Sequence, residues 1–330
     1  MDSSKDATWW QKLLLVLGSL AVSFVALELG VRILDPVRVH DGATDTPWND
    51  DGNSLLHVRS ANPQLVYELR PSAAVYVEKF DRTFTTNSAG FRDREFSQAK
   101  PGGVYRIAAV GDSVTFGWDQ EPDETYPKQL EAGFAAAGIT TVEVLNFGIG
   151  GYNSLQEIEL IRARALAFEP DLLLLAYVMN DDTVQGADGG LARHFNRTAC
   201  RACDFLALRA RQLYRRLDES PTEEALHELG ALSAAHGIPV VVVIFPLLEL
   251  SENGGYSAAT IHDRVHGLSQ THGFHVLDLL DAFRAAGFDN VKRDAIHPNA
   301  KGNAIAAAEI FAFLSELRGD LGLPAPTGLP

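Results

Sequence analysis

The stretch AAVGDSVTFGW, residues 108–118, changes character abruptly in its middle. The mostly apolar run of residues 105–110 is typical of a β-strand. It stops at Gly111-Asp112-Ser113, and a helix-like segment follows. Small and polar residues at such a junction are typical of a turn or a helix N-cap. The pattern therefore predicts a strand, a tight turn and a helix, with the hydroxyl of Ser113 where the strand ends.

Apolar runs alternate with amphipathic segments through the rest of the chain. Further strands are predicted at residues 141–147, 171–178, 239–245 and 275–279. Helices are predicted at residues 125–138, 154–168, 205–217, 221–237, 258–273 and 300–318. Strands that alternate with helices form parallel sheets with right-handed crossovers. The sequence thus predicts an α/β fold with a doubly wound sheet, whose functional groups collect at the carboxyl ends of the strands.

Four polar clusters lie where this fold would bring them to one edge of the sheet. They are Gly111-Asp112-Ser113, NFGIGGYNS (146–154), Asn180-Asp181 and RDAIHPNAKG (293–302). Each alone is also compatible with a turn or a helix cap. The second cluster begins a G-x-G-x-x-G pattern, but its sixth position is Asn153 and it follows the second strand, which disfavours a dinucleotide site. The conjunction of all four favours a functional site.

The residue types in these clusters suit acyl transfer. A serine hydroxyl such as that of Ser113 needs an adjacent base, and His297 can serve as that base. Asp294, three residues earlier, can hold the imidazole in one tautomer. An oxyanion needs preorganised donors, for which the N–H of Ser113, the N–H of a glycine in the second cluster and the amide of Asn180 are candidates.

These four blocks resemble those of the SGNH hydrolases, also called GDSL esterases and lipases, over residues 105–317. The matching segments are VGDSVTFG, NFGIGGYNS, VMNDD and DAIHPN. The resemblance implies a flavodoxin-like three-layer α/β/α sandwich and needs no metal or cofactor. It assigns Ser113 as the nucleophile, Asp294 and His297 as its partners, and Ser113, Gly151 and Asn180 as oxyanion donors. The chain departs from the family at Val178-Met179, where a small residue is usual, so substrate choice stays open.

The N-terminal part contains an uncharged run at residues 13–27, extendable to residue 34. An uncleaved signal anchor is favoured over a cleaved signal peptide or a buried core helix, since about 20 apolar residues span a bilayer and Trp9 and Trp10 suit its interface. Basic residues balance on the two sides, so the N-in, C-out orientation is chosen because a large body after one span is usually exported. The segments ALELGVRIL and TNSAGFRDREF resemble membrane-anchored bacterial members, and some related proteins act on acyl groups of exported polysaccharides.

The expected organisation has four parts. They are a membrane anchor (1–34), a linker with a small β-containing extension (35–104), the hydrolase domain (105–320) and a tail (321–330). The net charge of −15 argues against a nucleic-acid partner. Cys200 and Cys203 are expected to be a local disulfide or inert thiols, rather than a redox or zinc site. His262 and His266 have the i, i+4 spacing of a zinc pair but no third ligand, so they are expected to be exposed histidines on a helix.

The sequence therefore predicts a single-pass protein of the cytoplasmic membrane whose catalytic domain lies outside the cytoplasm. Its expected activity is that of a serine esterase acting on carboxylic esters, including acyl groups on a glycan or lipid. Two alternatives remain. One is an O-acyltransferase that uses the same site with a sugar hydroxyl as acceptor, and the other is a catalytically silent subunit of an envelope complex.

Overall fold

The computed structural model describes residues 8–34, 55–179, 181, 200–215, 221–251 and 254–326. Its strands are β1 (His57–Arg59), β2 (Tyr67–Leu69), β3 (Ala74–Val77), β4 (Arg82–Thr85), β5 (Tyr105–Gly111), β6 (Val142–Gly148), β7 (Leu172–Val178), β8 (Val240–Phe245) and β9 (His275–Asp278). Its helices are α1 (Trp9–Leu34), α2 (Ser113–Phe116), α3 (Tyr126–Ala136), α4 (Ser154–Ala163), α5 (Arg201–Arg215), α6 (Pro221–His236), α7 (Ala259–Thr271), α8 (Leu280–Ala286), α9 (Phe288–Val291), α10 (Ala300–Glu316) and α11 (Arg318–Leu321). Short 3-10 turns lie at Glu78–Phe80, Pro122–Glu124 and Ala165–Phe168.

A five-stranded parallel sheet in the order β6-β5-β7-β8-β9 forms the centre of the fold. Alternate residues of β5 enter two different apolar cores, since Ala108 and Val110 face one side and Ile107 and Ala109 the other. Strands buried on both faces need helices on both sides, which explains their nearly continuous apolar sequence. The strand order is that of flavodoxin-like proteins, with a topological switch beside β5. The predicted three-layer α/β/α sandwich is thereby confirmed.

The N-terminal extension is built into the main domain. It contains two antiparallel hairpins, β1–β2 and β3–β4. Its buried residues Leu56, Tyr67, Phe84 and Phe91 belong to the apolar core that also contains Phe147 of β6. Folding of the sheet and of the extension is therefore coupled through shared apolar burial. The domain boundary near residue 104 stays a prediction, and the linker at residues 35–54 lies outside the described residues.

Helix α1 projects away from the apolar cores. It spans 26 residues, and only 6% of its most apolar window is buried. Such exposure does not fit the buried core helix that the sequence left as an alternative, and the length and composition are sufficient to cross a bilayer. The carboxylate of Glu28, near the end of α1, accepts a hydrogen bond of 2.6 Å from the N–H of Ala202 in α5. This contact joins the candidate membrane span to the rest of the protein.

The two cysteines of the chain form a disulfide between Cys200 and Cys203, with their Cα atoms 5.2 Å apart. The expected local staple is therefore present at the start of α5. That helix begins at Arg201, four residues earlier than the sequence pattern predicted.

One predicted helix is divided in two. The sequence predicted a single helix over residues 154–168, but α4 ends at Ala163 and a 3-10 turn follows. The break falls at Arg164, whose guanidinium contacts the carboxylate of Glu68 and the carbonyl of Ala89, both in the extension. Contacts with a segment about 75–95 residues earlier in the chain compete here with helix propagation, and local periodicity does not report them.

Candidate active site

Ser113 lies at the carboxyl end of β5, as the sequence predicted. Asp112 is the N-cap of α2, and its carboxylate accepts the N–H of Val114 at 2.9 Å. The helix ends after one turn at Gly117, whose φ of +78° suits glycine. This short, capped helix presents Ser113 half-exposed at the edge of the sheet, while its neighbours Val114, Thr115 and Phe116 are buried.

Ser113, His297 and Asp294 form a chain of hydrogen bonds across 184 residues of sequence. Ser113 Oγ lies 2.8 Å from His297 Nε2, and His297 Nδ1 lies 2.8 Å from Asp294 Oδ2. This is the arrangement by which an imidazole accepts a serine proton while a carboxylate fixes its tautomer. The loop is closed by an isolated bridge between Lys292 and Pro298, which brings His297 back over the sheet edge.

The carboxylate of Asp294 is held in the ionised form. Partial burial opposes ionisation, but hydrogen bonds from the ring and main-chain N–H of His297 and from the N–H of Ile296 outweigh it. Together they hold the pKa of Asp294 well below its ordinary value. Asp294 is therefore an anion throughout the pH range in which proteins are folded, so a loss of activity in mild acid would not come from its protonation.

The second predicted cluster lies directly beside the nucleophile. A Cβ built on Gly150 would lie 3.9 Å from the Cβ of Ser113. The side chain of Asn146 braces this loop, since its oxygen accepts the N–H of Gly148 and its amide donates to the carbonyl of Thr115 in α2. Gly151, the predicted oxyanion donor, has a φ of +81°, a conformation that favours glycine.

The third predicted cluster follows β7 at the same edge. Asp181 is buried, and its carboxylate accepts the N–H of Val178 at 2.7 Å. Asn180 itself lies outside the described residues. Because Met179 and Asp181 flank it at the end of a strand paired with β5, its role as an oxyanion donor stays a prediction.

Arg92, in the extension, supports the nucleophile turn and was given no role by the sequence. It is 3% exposed, and its guanidinium donates to the carbonyls of Phe116 (2.9 Å), Gly117 and Gln120. These carbonyls follow the last turn of α2, where helices leave acceptors unpaired and favour cations. The GFRDREF segment was noticed only as a family resemblance. Its physical role depends on contacts 24–28 residues away, which no local pattern reveals.

Two aromatic residues beside the site were left between pocket and core. Tyr152 is 1% exposed and belongs to the core. Trp118 is partly exposed and lines the small cleft that also contains Ser113, Gln120 and His297. Its ring packs against Phe80 and Phe84 of the extension, so the extension forms part of the wall behind this cleft.

The histidine pair of α7 is only partly as expected. His266 is exposed, but His262 is buried, which corrects the prediction. The ring of His262 lies between two partners, with Nδ1 2.7 Å from Asp278 and Nε2 2.8 Å from the hydroxyl of Tyr256. Both ring nitrogens are thus engaged in tying α7 to β9 and to the loop after β8. Within the described ranges, no group of three or more histidine, cysteine or acidic residues is arranged to hold a metal.

A buried carboxyl behind the site leads to a prediction about stability. Glu157 of α4 is fully buried, and its two oxygens have no hydrogen-bond partner among the residues that the structure describes. Burial raises the pKa of Glu157 well above its ordinary value, and the charge of Asp112 raises it further. The folded protein therefore binds a proton here that the unfolded chain releases above about pH 4.3, so stability falls as pH rises above that value.

Glu157→Gln should remove this dependence because the amide cannot ionise. We expect a higher Tm than that of the wild type at about pH 8 and a small difference at about pH 4. Thermal unfolding followed by circular dichroism at several pH values measures it, with Glu309→Gln, on the exposed face of α10, as the control. A Tm of Glu157→Gln that lies below the wild-type value at alkaline pH would contradict the assignment of a neutral carboxyl.

Comparison with known proteins agrees with the fold. The model of the GDSL-like lipase/acylhydrolase family matches residues 109–305, more than half of the chain. The chain therefore belongs to this family, and it is a hydrolase that acts on ester bonds. A search of curated proteins gives no significant match.

Solved structures with a similar fold include three esterases or lipases. A lipase/acylhydrolase from Enterococcus faecalis is 17% identical, with 68% of this chain and 100% of that chain covered and a TM-score of 0.47. The acetyl xylan esterase AlAXEase is 16% identical (63% and 99% covered, TM-score 0.46). The psychrotrophic esterase EstA from Pseudoalteromonas sp. is 18% identical (65% and 98% covered, TM-score 0.43).

Proposed function

We propose that this protein is a membrane-anchored serine esterase that cleaves carboxylic esters through an acyl-enzyme on Ser113. The observation that carries the proposal is the hydrogen-bonded chain from Ser113 through His297 to Asp294. A serine, a histidine and a carboxylate in this order at one edge of a sheet supply a nucleophile, its base and the group that orients the base. The separation of these residues in sequence makes a coincidental capping arrangement a poor explanation.

In the first half of the reaction, Ser113 Oγ attacks the ester carbonyl carbon while His297 Nε2 takes the hydroxyl proton. The negative oxygen of the tetrahedral intermediate is stabilised by the N–H groups of Ser113 and Gly151 and by the amide of Asn180. Asp294 stabilises the imidazolium that forms. Collapse of the intermediate expels the alcohol, which receives the proton from His297, and leaves the acyl group on Ser113.

In the second half, His297 takes a proton from a water molecule that attacks the acyl carbonyl. A second tetrahedral intermediate forms in the same oxyanion site and collapses to release the carboxylic acid. The proton returns to Ser113 Oγ, so the free enzyme is regenerated. If a sugar hydroxyl replaces the water, the same steps give acyl transfer, which is the alternative activity.

The proposed location is the cytoplasmic membrane, with the catalytic domain outside the cytoplasm. Helix α1 is exposed and long enough to serve as the anchor, although a signal sequence has the same features. The Cys200–Cys203 disulfide supports an oxidising compartment. The N-terminal resemblance to membrane-anchored bacterial members makes esters on a glycan or lipid of the cell envelope the first substrates to test.

The purified full chain in detergent micelles tests the activity directly. We expect it to release p-nitrophenol from p-nitrophenyl acetate well above the rate in buffer, and adding an acylatable oligosaccharide measures how the acyl group partitions between sugar and water. Folded protein that hydrolyses none of a panel of esters and transfers no acyl group would contradict the proposal and favour the silent subunit.

Asn180→Ala tests the third oxyanion donor. If the amide of Asn180 stabilises the intermediate, kcat should fall by about 10²–10³-fold with a smaller change in KM. Asn290→Ala is a matched control, since the amide of Asn290 bonds only the carbonyl of Ala286 at an exposed helix end. An unchanged kcat in folded Asn180→Ala protein would exclude this role for the amide.

A further inference from the structure

We propose that Tyr67, in the N-terminal extension, is a positioning residue that holds the oxyanion-stabilising peptide of the esterase in its active orientation. This inference rests on the proposed function. Tyr67 begins β2 and is 1% exposed, and its hydroxyl donates a hydrogen bond of 2.9 Å to the carbonyl of Gly150. The extension thereby reaches across 83 residues of sequence to the loop beside Ser113.

The carbonyl that Tyr67 binds belongs to the same peptide unit as the proposed oxyanion donor. The carbonyl of Gly150 and the N–H of Gly151 are the two polar groups of one planar peptide bond, which is trans because the described chain contains no cis peptide. In a trans peptide the C=O and N–H point in opposite directions. A hydroxyl that fixes the carbonyl on the side of the extension therefore fixes the N–H on the opposite side.

The loop itself supplies little restraint. Gly150 and Gly151 are adjacent glycines, which rotate more freely than other residues. Gly151 has a φ of +81°, and a Cβ at this position would lie 2.9 Å from the hydroxyl of Tyr67. A side chain that could stiffen the loop is thus excluded by the tyrosine, and the hydrogen bond from Tyr67 provides the restraint in its place.

Tyr67 is itself held from several sides. The hydroxyl of Tyr152 donates to the main-chain carbonyl of Tyr67, and the two rings pack edge to face with centroids 5.2 Å apart. The preceding turn is tied to α4, because the amide of Gln156 donates to the carbonyl of Leu65 at 2.9 Å. Burial raises the pKa of both phenols far above the ordinary value, so each hydroxyl remains a donor. A rigid donor on a rigid support is what positioning a peptide requires.

Tyr67→Phe removes the hydroxyl and keeps the ring. We expect kcat for p-nitrophenyl acetate to fall about 10-fold, since a small loss of alignment at the reacting atoms is costly, while KM and Tm change little. The affinity for a boronic acid, which forms an anionic tetrahedral adduct with the serine, should fall by a similar factor. Tyr76→Phe is the matched control, because Tyr76 lies in the same extension, is 54% exposed and bonds only Asp81 at the surface.

The measurements use the full chain in detergent micelles. Parallel losses of kcat and boronate affinity in Tyr67→Phe, absent from Tyr76→Phe, support the positioning role. A Tyr67→Phe variant that matches wild type in kcat, or one whose kcat falls with unchanged boronate affinity, overturns it. If Tyr67→Phe does not fold, Tyr152→Phe must show a smaller loss of the same kind, and no loss there overturns the inference. A folded but inactive wild type would instead contradict the proposed function, and this inference with it.

Discussion

Replacing Ser113 with alanine should lower kcat/KM for ester hydrolysis by roughly 10⁴–10⁶-fold. The variant keeps the backbone donors of the oxyanion site but has no atom that can form the acyl-enzyme. Because Ser113 is only half-buried and its hydroxyl bonds His297 and Asp112, the change removes little packing, and Tm should move by less than about 4 °C. Initial rates and thermal unfolding on the same preparation measure both quantities.

Ser97→Ala serves as the control for this prediction. Ser97 is exposed in the extension, and its hydroxyl donates to the nearby carbonyl of Ala99. Its activity should remain within about twofold of wild type, as for most surface substitutions. A Ser113→Ala variant that retains more than a few per cent of the wild-type rate would show that the ester is cleaved elsewhere on the protein.

Arg92→Met should lower the free energy of unfolding by about 3–5 kcal/mol. The guanidinium donates to three main-chain carbonyls around α2, and it stacks on the rings of Phe84 and Phe116. Methionine replaces part of the side-chain volume but supplies no donor, so buried acceptors lose their partners. Each such loss costs about 1–3 kcal/mol. Burial lowers the pKa of Arg92 to about 10, which leaves the group charged at neutral pH.

Denaturant unfolding compares this variant with Arg94→Met. Arg94 is two residues away, but its side chain is 43% exposed and pairs with Glu131 at the surface. An exposed ion pair contributes less than about 1 kcal/mol, so Arg94→Met should unfold close to wild type. Equal stabilities for the two variants would mean that the extension does not support the nucleophile turn as described.

The sequence predicted the sheet well because its physical signals are local. Runs such as residues 171–178 must be apolar throughout when a strand is covered on both faces, and β7 is buried along its whole length. Ser113, Asp294 and His297 could also be predicted, since each follows from the chemistry of one short segment and from the rule that parallel strands share a carboxyl edge. The structure brings these three together as hydrogen-bonded neighbours, while their catalytic roles remain proposals.

The support for the site could not be predicted in the same way. Tyr67 and Arg92 act on Gly150 and on the end of α2 through contacts that only the tertiary fold creates. Likewise, the i, i+4 spacing of His262 and His266 placed both on one side of a helix but did not show that Asp278 and Tyr256 would enclose His262. Periodicity reports the faces of an element, whereas the identity of its neighbours depends on how elements pack.

The most direct test of the account is the intact mass of the full chain after treatment with a fluorophosphonate, which reacts with an activated serine without resembling a particular substrate. We predict one phosphonyl group on each wild-type chain and none on Ser113→Ala, since His297 activates only this hydroxyl. No adduct on folded wild-type protein, or an adduct that persists in Ser113→Ala, would contradict the claim that Ser113 is the nucleophile.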